Sequence, residues 1–202
     1  MTKSAIVLRP ARAADAEALA QFTVAAGHGV MEVLYGGLVP GQSTLQTVLE
    51  RRISHAGGFA EWPLWVVAEA DGGNVLGGVN AFPHDVFDIA PRDPLIGDDR
   101  RAALANLSAL EQRARGTYYL NLIAVAPQVR GRGVGALLVA EAERQARAQR
   151  FSRLTLSTFA ADAGLMRFYA ACGLTVIGTA PIEPHPALEH GGDWALLAKD
   201  LS

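Results

Sequence analysis

Apolar residues along this chain recur at every second position in some stretches and at helical spacing in others, and the two kinds of stretch take turns throughout. Such alternation predicts an α/β or α+β domain, with helices packed on one mixed sheet of about six to seven strands. Ala5 to Arg9 reads as a short first strand. Asp15 stands where it would cap a helix through Glu17, Leu19, Phe22 and Val24, and the glycine-rich stretch from His28 to Gly41 breaks that helix. Ser43 is a second N-cap, with Leu45, Val48, Leu49 and Arg52 continuing to a stop at Gly57 and Gly58. The runs 64–70 and 75–81, joined by the turn Asp71-Gly72-Gly73-Asn74, form an antiparallel hairpin.

The second half repeats the alternation more strongly. Residues 83–99 carry Pro83, Pro91 and Pro94 among Asp85, Asp88, Asp93, Asp98 and Asp99, and read as an acidic loop leading into an extra helical segment that ends near Arg115. That loop is either a solvated cover or a set of carboxylates that attracts a cationic substrate. Thr117 to Val125 is a strand ended by Pro127. Val134 to Arg150 is a helix whose faces are marked by Val134, Leu137, Leu138 and Glu141, with Arg144, Arg147 and Arg150 near its negative end. Ser152 to Phe159 is a strand, Asp162 to Cys172 a helix closed by Gly173, and Thr175 to Thr179 and Trp194 to Lys199 complete the set.

Composition narrows the chemistry. The formal net charge of −2 gives no expectation of nucleic acid or an anionic membrane as partner. A single cysteine, Cys172, makes no internal disulfide and reads as a small buried side chain. The opening Met1 to Leu8 is too short for a signal segment, and no apolar run is long enough to span a bilayer, so the cytoplasm is the expected compartment and residues 1–202 the expected single domain. Only Lys3 and Lys199 are available, both near the ends, which argues against a Schiff-base lysine. There is no GxSxG, HExxH or GxxxxGK[ST] motif. His28, His55, His84, His185 and His190 show no metal-ligand spacing with each other or with Cys172, so no metal is expected.

The chemistry concentrates in Gln128-Val129-Arg130-Gly131-Arg132-Gly133-Val134-Gly135, between a strand and a helix. Glycines at alternate positions let backbone N–H groups approach a phosphate, the helix start adds its positive end, and Arg130 and Arg132 add charge. Gly131-x-Gly133-x-x-Ala136 also meets a relaxed dinucleotide fingerprint, but 126–130 separate it from the strand and the next strand ends in Thr158-Phe159-Ala160-Ala161 without the expected acid. The closer resemblance is to the GCN5-related N-acetyltransferase (GNAT) family. Arg130-Gly131-Arg132-Gly133-Val134-Gly135 resembles its [Q/R]xxGx[G/A] motif, Ile123-Ala124-Val125-Ala126-Pro127 its V-x-P lead-in, and Phe168-Tyr169-Ala170-Ala171-Cys172-Gly173-Leu174 its LYxxxGF. Leu8 to Asp15 and the hairpin from Val67 to Gly78 follow the family order, whereas the segment from about 83 to 115 is longer than the family pattern.

The resemblance implies a GNAT fold and an N-acyltransferase that uses an acyl-coenzyme A, most simply acetyl-CoA, by direct attack of a small-molecule or peptidyl amine on the thioester. It implies that Arg130, Gly131, Arg132, Gly133, Val134, Gly135 and Ala136 hold the pyrophosphate, that Ile123, Ala124 and Val125 pair with the pantetheine arm, and that the strand pair splays to admit it. A backbone N–H near Ile123 or Ala124 would then stabilise the oxyanion, Tyr169 would donate a proton to the thiolate, and Asp162 would stand where the family often places a cofactor-touching Asn. The base stays open among water relayed by Asn121 or Ser157, His84 or Asp85, and Glu189 or His190. Pairing of two copies through the C-terminal strands is a family habit. A non-catalytic acyl-CoA-binding module and, more distantly, a nucleotide-linked oxidoreductase are the alternatives.

Overall fold

The computed structural model describes residues 6–38, 44–55, 58–70 and 72–201. Its centre is one seven-stranded sheet in the order β1-β2-β3-β4-β5-β7-β6. The first four strands, β1 (Ile6–Pro10), β2 (Trp65–Ala70), β3 (Val75–Pro83) and β4 (Tyr118–Val125), pair antiparallel with one another in that order. β4 then meets β5 (Arg153–Phe159) in parallel, and β6 (Thr175–Pro181) and β7 (Asp193–Asp200) add two antiparallel pairings beyond it. Helices α1 (Ala16–Gly27), α2 (Val30–Tyr35), α3 (Leu45–Ser54), α4 (Val86–Ile89), α5 (Asp98–Ala102) and α6 (Ala105–Glu111) precede β4; α7 (Val134–Ala148) and α8 (Ala163–Ala171) flank β5 in the chain. The expected mixed sheet with an extra helical segment before its fourth strand is therefore the observed fold.

Each sheet face has its own apolar cover. Val79, Tyr118, Leu120, Leu154 and Leu156 pack with Val134, Leu138, Ala142 and Ala146 of α7 and with Tyr169 of α8. On the opposite face, Leu19 and Phe22 of α1 and Leu49 and Ile53 of α3 cover Trp65 and Val67. A third cluster joins Val33, Leu104 and Leu110 to Tyr119, Phe159, Trp194 and Leu196, so the long segment before β4 is a packed cover over the β5–β7 side. Leu138 is fully buried, and truncating such a residue to Ala costs about 2–5 kcal/mol. Among the described residues, no helix is long and apolar enough to cross a membrane.

Several local expectations change. Asp15 does not cap α1. Its carboxylate accepts from the Arg12 N–H at 2.7 Å and pairs in two-pronged fashion with Arg9 at 2.8 and 3.0 Å, while Arg9 Nε also donates to Glu69 at 2.6 Å. This network pins β1 to β2 and to the turn before α1. The stretch after α1 is not merely a break: His28 ends the helix in left-handed backbone, φ 45°, and a second short helix, α2, follows Gly29. Ser43 and the turn residue Asp71 lie outside the described residues; the N-cap seen at α3 is Thr44, whose hydroxyl accepts from the Thr47 N–H. Within the acidic segment, Asp93 is buried, receiving the Tyr35 hydroxyl and the Arg52 guanidinium, both at 2.6 Å, so it is a structural clamp rather than part of a solvated cover.

Candidate functional site

The sheet opens at its parallel pair. Tyr118 and Tyr119 face Leu154 and Thr155, and no further β4–β5 pairing follows, although both strands continue to Val125 and Phe159. A 2.6 Å contact between the Thr117 and Thr155 hydroxyls closes the narrow end. Beyond it, among the described residues, Ile123, Ala124 and Val125 pair with β3 alone, opposite Val79, Gly78 and Gly77, and the β5-facing side of β4 has no partner strand.

A bulge in β4 sits at the divergence. Leu120 and Leu122 oppose the consecutive residues Ala81 and Asn80, so Asn121 is the extra residue. The insertion reverses the alternation of sides: Leu120 joins the α7-side core and Leu122 packs with the α1-side core. It also sets Asn121 against Asn80, whose Oδ1 accepts from Asn121 Nδ2 at 2.8 Å while Asn80 Nδ2 donates to the Leu64 carbonyl. The side-chain Oδ1 of Asn121 makes no hydrogen bond among the described residues.

The glycine block lies where β4 turns into α7. Arg130 Nε donates to the Val125 carbonyl at 3.1 Å, folding the block back on the strand end. Gly131 and Gly133 have φ of 73° and 85°, the left-handed region that favours glycine, and a Cβ at either would meet nothing within 4 Å. The conformation, not crowding, selects glycine there, and the backbone is open. Gly133 is the N-cap of α7, and no hydrogen-bond acceptor among the described residues meets the N–H groups of Gly133, Val134, Gly135 and Ala136. Gly135 has a different cause: a Cβ there would come to 3.1 Å from the Phe168 ring, so it is glycine because α7 and α8 pack closely. Arg132 is exposed beside the opening of the block.

Tyr169 lies on α8 with 5 % of its surface exposed. Burial pushes its hydroxyl above the usual phenol range, with smaller upward contributions from Cys172 and Asp162, and no hydrogen bond to it is present among the described residues. Cys172 is half-buried rather than fully buried, and desolvation raises its thiol. Lys199 is committed, donating to Glu143 at 2.6 Å and to the Cys172 carbonyl at 2.8 Å. Asp162 is the N-cap of α8 and accepts from the Leu165 N–H at 2.9 Å.

The base candidates separate. His84 is 1 % exposed and its ring packs on Phe87 and Tyr119. Desolvation lowers its pKa, and neither ring nitrogen has a partner among the described residues, so it is a neutral core ring. Asp85 is exposed at the start of α4. Ser157 turns towards Tyr119 with its hydroxyl buried and without a hydrogen-bond partner among the described residues. Sequence reasoning overlooked the group beyond it: the Tyr119 hydroxyl donates to Glu111 at 2.6 Å, and burial raises the Glu111 carboxyl to about 7, against the lowering effect of that hydrogen bond. Glu111 stands at the end of α6, in the segment that had no assigned role, and no local motif marks it.

Glu189 and His190 meet residues from the other end of the chain. Glu189 Oε2 is 2.9 Å from His28 Nδ1, and His190 Nε2 is 3.7 Å from Asp162 Oδ2. Linear spacing gave no sign of this gathering.

A sheet opened between its parallel strands, with an unpartnered helix start at the mouth of the opening, defines an acetyltransferase-type fold. The structure is similar to an N-acetyltransferase from Staphylococcus aureus Mu50, with TM-score 0.67 and 15 % identity over 96 % of this chain and 100 % of the other. It is similar also to a protein described as an acetyltransferase, with TM-score 0.65 and 18 % identity over 97 % and 100 % of the two chains. A third is the Drosophila melanogaster polyamine N-acetyltransferase that forms N-acetylagmatine, with TM-score 0.64 and 16 % identity over 98 % and 100 %. No curated protein matches the sequence. The family model of the acetyltransferase (GNAT) family matches residues 42–174, and the chain belongs to that family of N-acetyltransferases.

Proposed function

We propose that this chain is a single-domain acyl-CoA-dependent N-acyltransferase that moves an acetyl group from acetyl-CoA to a primary amine. The observation that carries the reading is the unpaired side of β4 beside the open N–H groups of the glycine block. A pyrophosphate fits the free N–H groups from Gly133 to Ala136, with the Gly131 backbone, Arg130 and Arg132 beside it, and the amides of a pantetheine arm fit the free edge at Ile123, Ala124 and Val125, as an added strand would. GNAT acetyltransferases generally use acetyl-CoA. Asp162 is taken up as a helix cap and is left out of the donor site.

The amine lone pair attacks the thioester carbonyl carbon, a backbone N–H of β4 near Ile123 or Ala124 receives the oxyanion, and the carbon–sulfur bond then breaks. Tyr169 acts on the departing sulfur. Because burial makes its hydroxyl a weaker acid than a free phenol, its part is a hydrogen bond to the developing thiolate rather than full proton transfer. The proton lost by the amine passes through water between Asn121 Oδ1 and Ser157 to the Tyr119–Glu111 pair; an acceptor with a pKa of about 7 suits that task at neutral pH. β6 lies at the sheet edge with Val176 and Ile177 exposed, which supports pairing of two copies there.

Calorimetry with CoA and NAD(P), followed by release of free thiol from acetyl-CoA over a panel of amines, tests the reading. CoA binding with amine-dependent thiol release is expected. Binding without turnover would make the chain an acyl-CoA-binding module, and absence of CoA binding would refute both.

A further inference from the structure

We propose that His28, Asp162 and His190 bind a divalent first-row transition-metal ion, with Zn2+ the best match to two imidazoles and a carboxylate. The three come from distant parts of the chain: His28 ends α1, Asp162 caps α8, and His190 lies between β6 and β7. One ligand atom from each lies within 4.8 Å of the other two. Bonds of about 2.0–2.2 Å place neighbouring ligands of a tetrahedral ion roughly 3.3 Å apart, so an inward shift of each atom by under about 1 Å closes the site.

The surroundings hold this arrangement independently of an ion. Asp162 is fixed by its cap to Leu165, and the Glu189 N–H donates to the His28 carbonyl at 3.1 Å, tying the β6–β7 segment to the end of α1. The two imidazoles lie 5.4 Å apart between centroids, and both pack on Phe159, at 5.8 and 5.1 Å, which restricts their rotation. The Glu189 carboxylate at 2.9 Å from His28 Nδ1 is the outer partner that orients a metal-bound imidazole and raises its basicity. The two positive charges of the ion are matched by Asp162 and Glu189. Three protein ligands leave a fourth position for water or an incoming ligand.

The site stands apart from the acyl-transfer reading, because none of its residues has a part in it. Tag-free full-length protein, stripped with a chelator, is titrated with Co2+ and then Zn2+, following visible Co2+ absorption, calorimetry and metal content. One ion per chain is expected, with Zn2+ displacing Co2+. His190→Ala should abolish binding, Asp162→Asn should weaken it at least about 10-fold while keeping an oxygen for the cap, and Glu189→Gln should weaken it about 10 to 100-fold. His55→Ala, at the exposed end of α3, should bind like wild type. Circular dichroism and melting confirm the fold of each variant, and Asp162→Asn decides the matter if His190→Ala does not fold. Equal binding by wild type and Asp162→Asn, or loss of binding in His55→Ala, would overturn the assignment.

Discussion

In the proposed mechanism, the Glu111 carboxyl affects stability and activity in opposite directions as pH rises. Its carboxyl titrates at about 7 in the folded protein against 4.5 for an ordinary glutamate, chiefly because burial disfavours the charged form. The folded state therefore holds the proton more tightly than the unfolded chain. Folding takes up a proton between those two values, so this contribution to stability is full below about 4.5 and is lost as the pH rises through about 7. At about 1.36 kcal/mol per pH decade, the loss between pH 5 and 8 is at most roughly 2.5 kcal/mol. Glu111 retains partial exposure, which reduces the expected value to about 1–2.5 kcal/mol. Glu111→Gln keeps an oxygen for the Tyr119 hydroxyl and removes the titration. Urea unfolding of both proteins at pH 5 and pH 8 isolates the effect, since every other titrating group is shared. Wild type should lose about 1–2.5 kcal/mol more than the variant over that interval, and parallel losses would refute the argument. In wild type, kcat/KM should rise with pH through about 7, and the variant should lack that limb.

Other outcomes test the remaining roles. Gly133→Glu places a side chain at φ 85° and a negative charge among the free N–H groups, so CoA binding by calorimetry should disappear. Gly116→Ala imposes similar backbone strain at φ 79°, of about 1–2 kcal/mol, without touching the block and should keep the wild-type CoA affinity. Tyr169→Phe should lower kcat at least about 10-fold with little change in CoA affinity or melting temperature, because the hydroxyl has no hydrogen bond to lose among the described residues; wild-type turnover at every pH would remove its role. Asn121→Ala leaves the buried Asn80 Oδ1 without its partner and should cost about 1–3 kcal/mol in urea unfolding, together with a fall in turnover.

Much of the glycine block and its flanking strands was legible because it is local. Gly131 and Gly133 with Arg130 and Arg132 between β4 and α7, and Gly135 in the first turn of α7, announce a turn with open N–H groups, and the alternation of residues 118–125 and 153–159 announces two strands. What local pattern conceals is why each residue is there. Gly135 reads like Gly131 and Gly133 in sequence, yet it serves the contact with Phe168. Asp15 has the position of a cap, yet Arg9 reaches it from β1 and takes it over. His84, a base candidate by position after the hairpin, is enclosed by rings from α4 and β4. Glu111 had no signal, since its raised pKa depends on packing around α6 rather than on its neighbours in the chain.

By itself, the sequence determined the alternation of strands and helices, the family and the place of the glycine-rich turn before α7, because periodicity, caps and glycine conformations act over a few residues. Tertiary structure alone decided where β4 and β5 part, which carboxylate pairs with Tyr119, and that His28, Asp162 and His190 meet. Those outcomes depend on contacts between distant segments, whose distances and desolvation exist only once the sheet has brought them together.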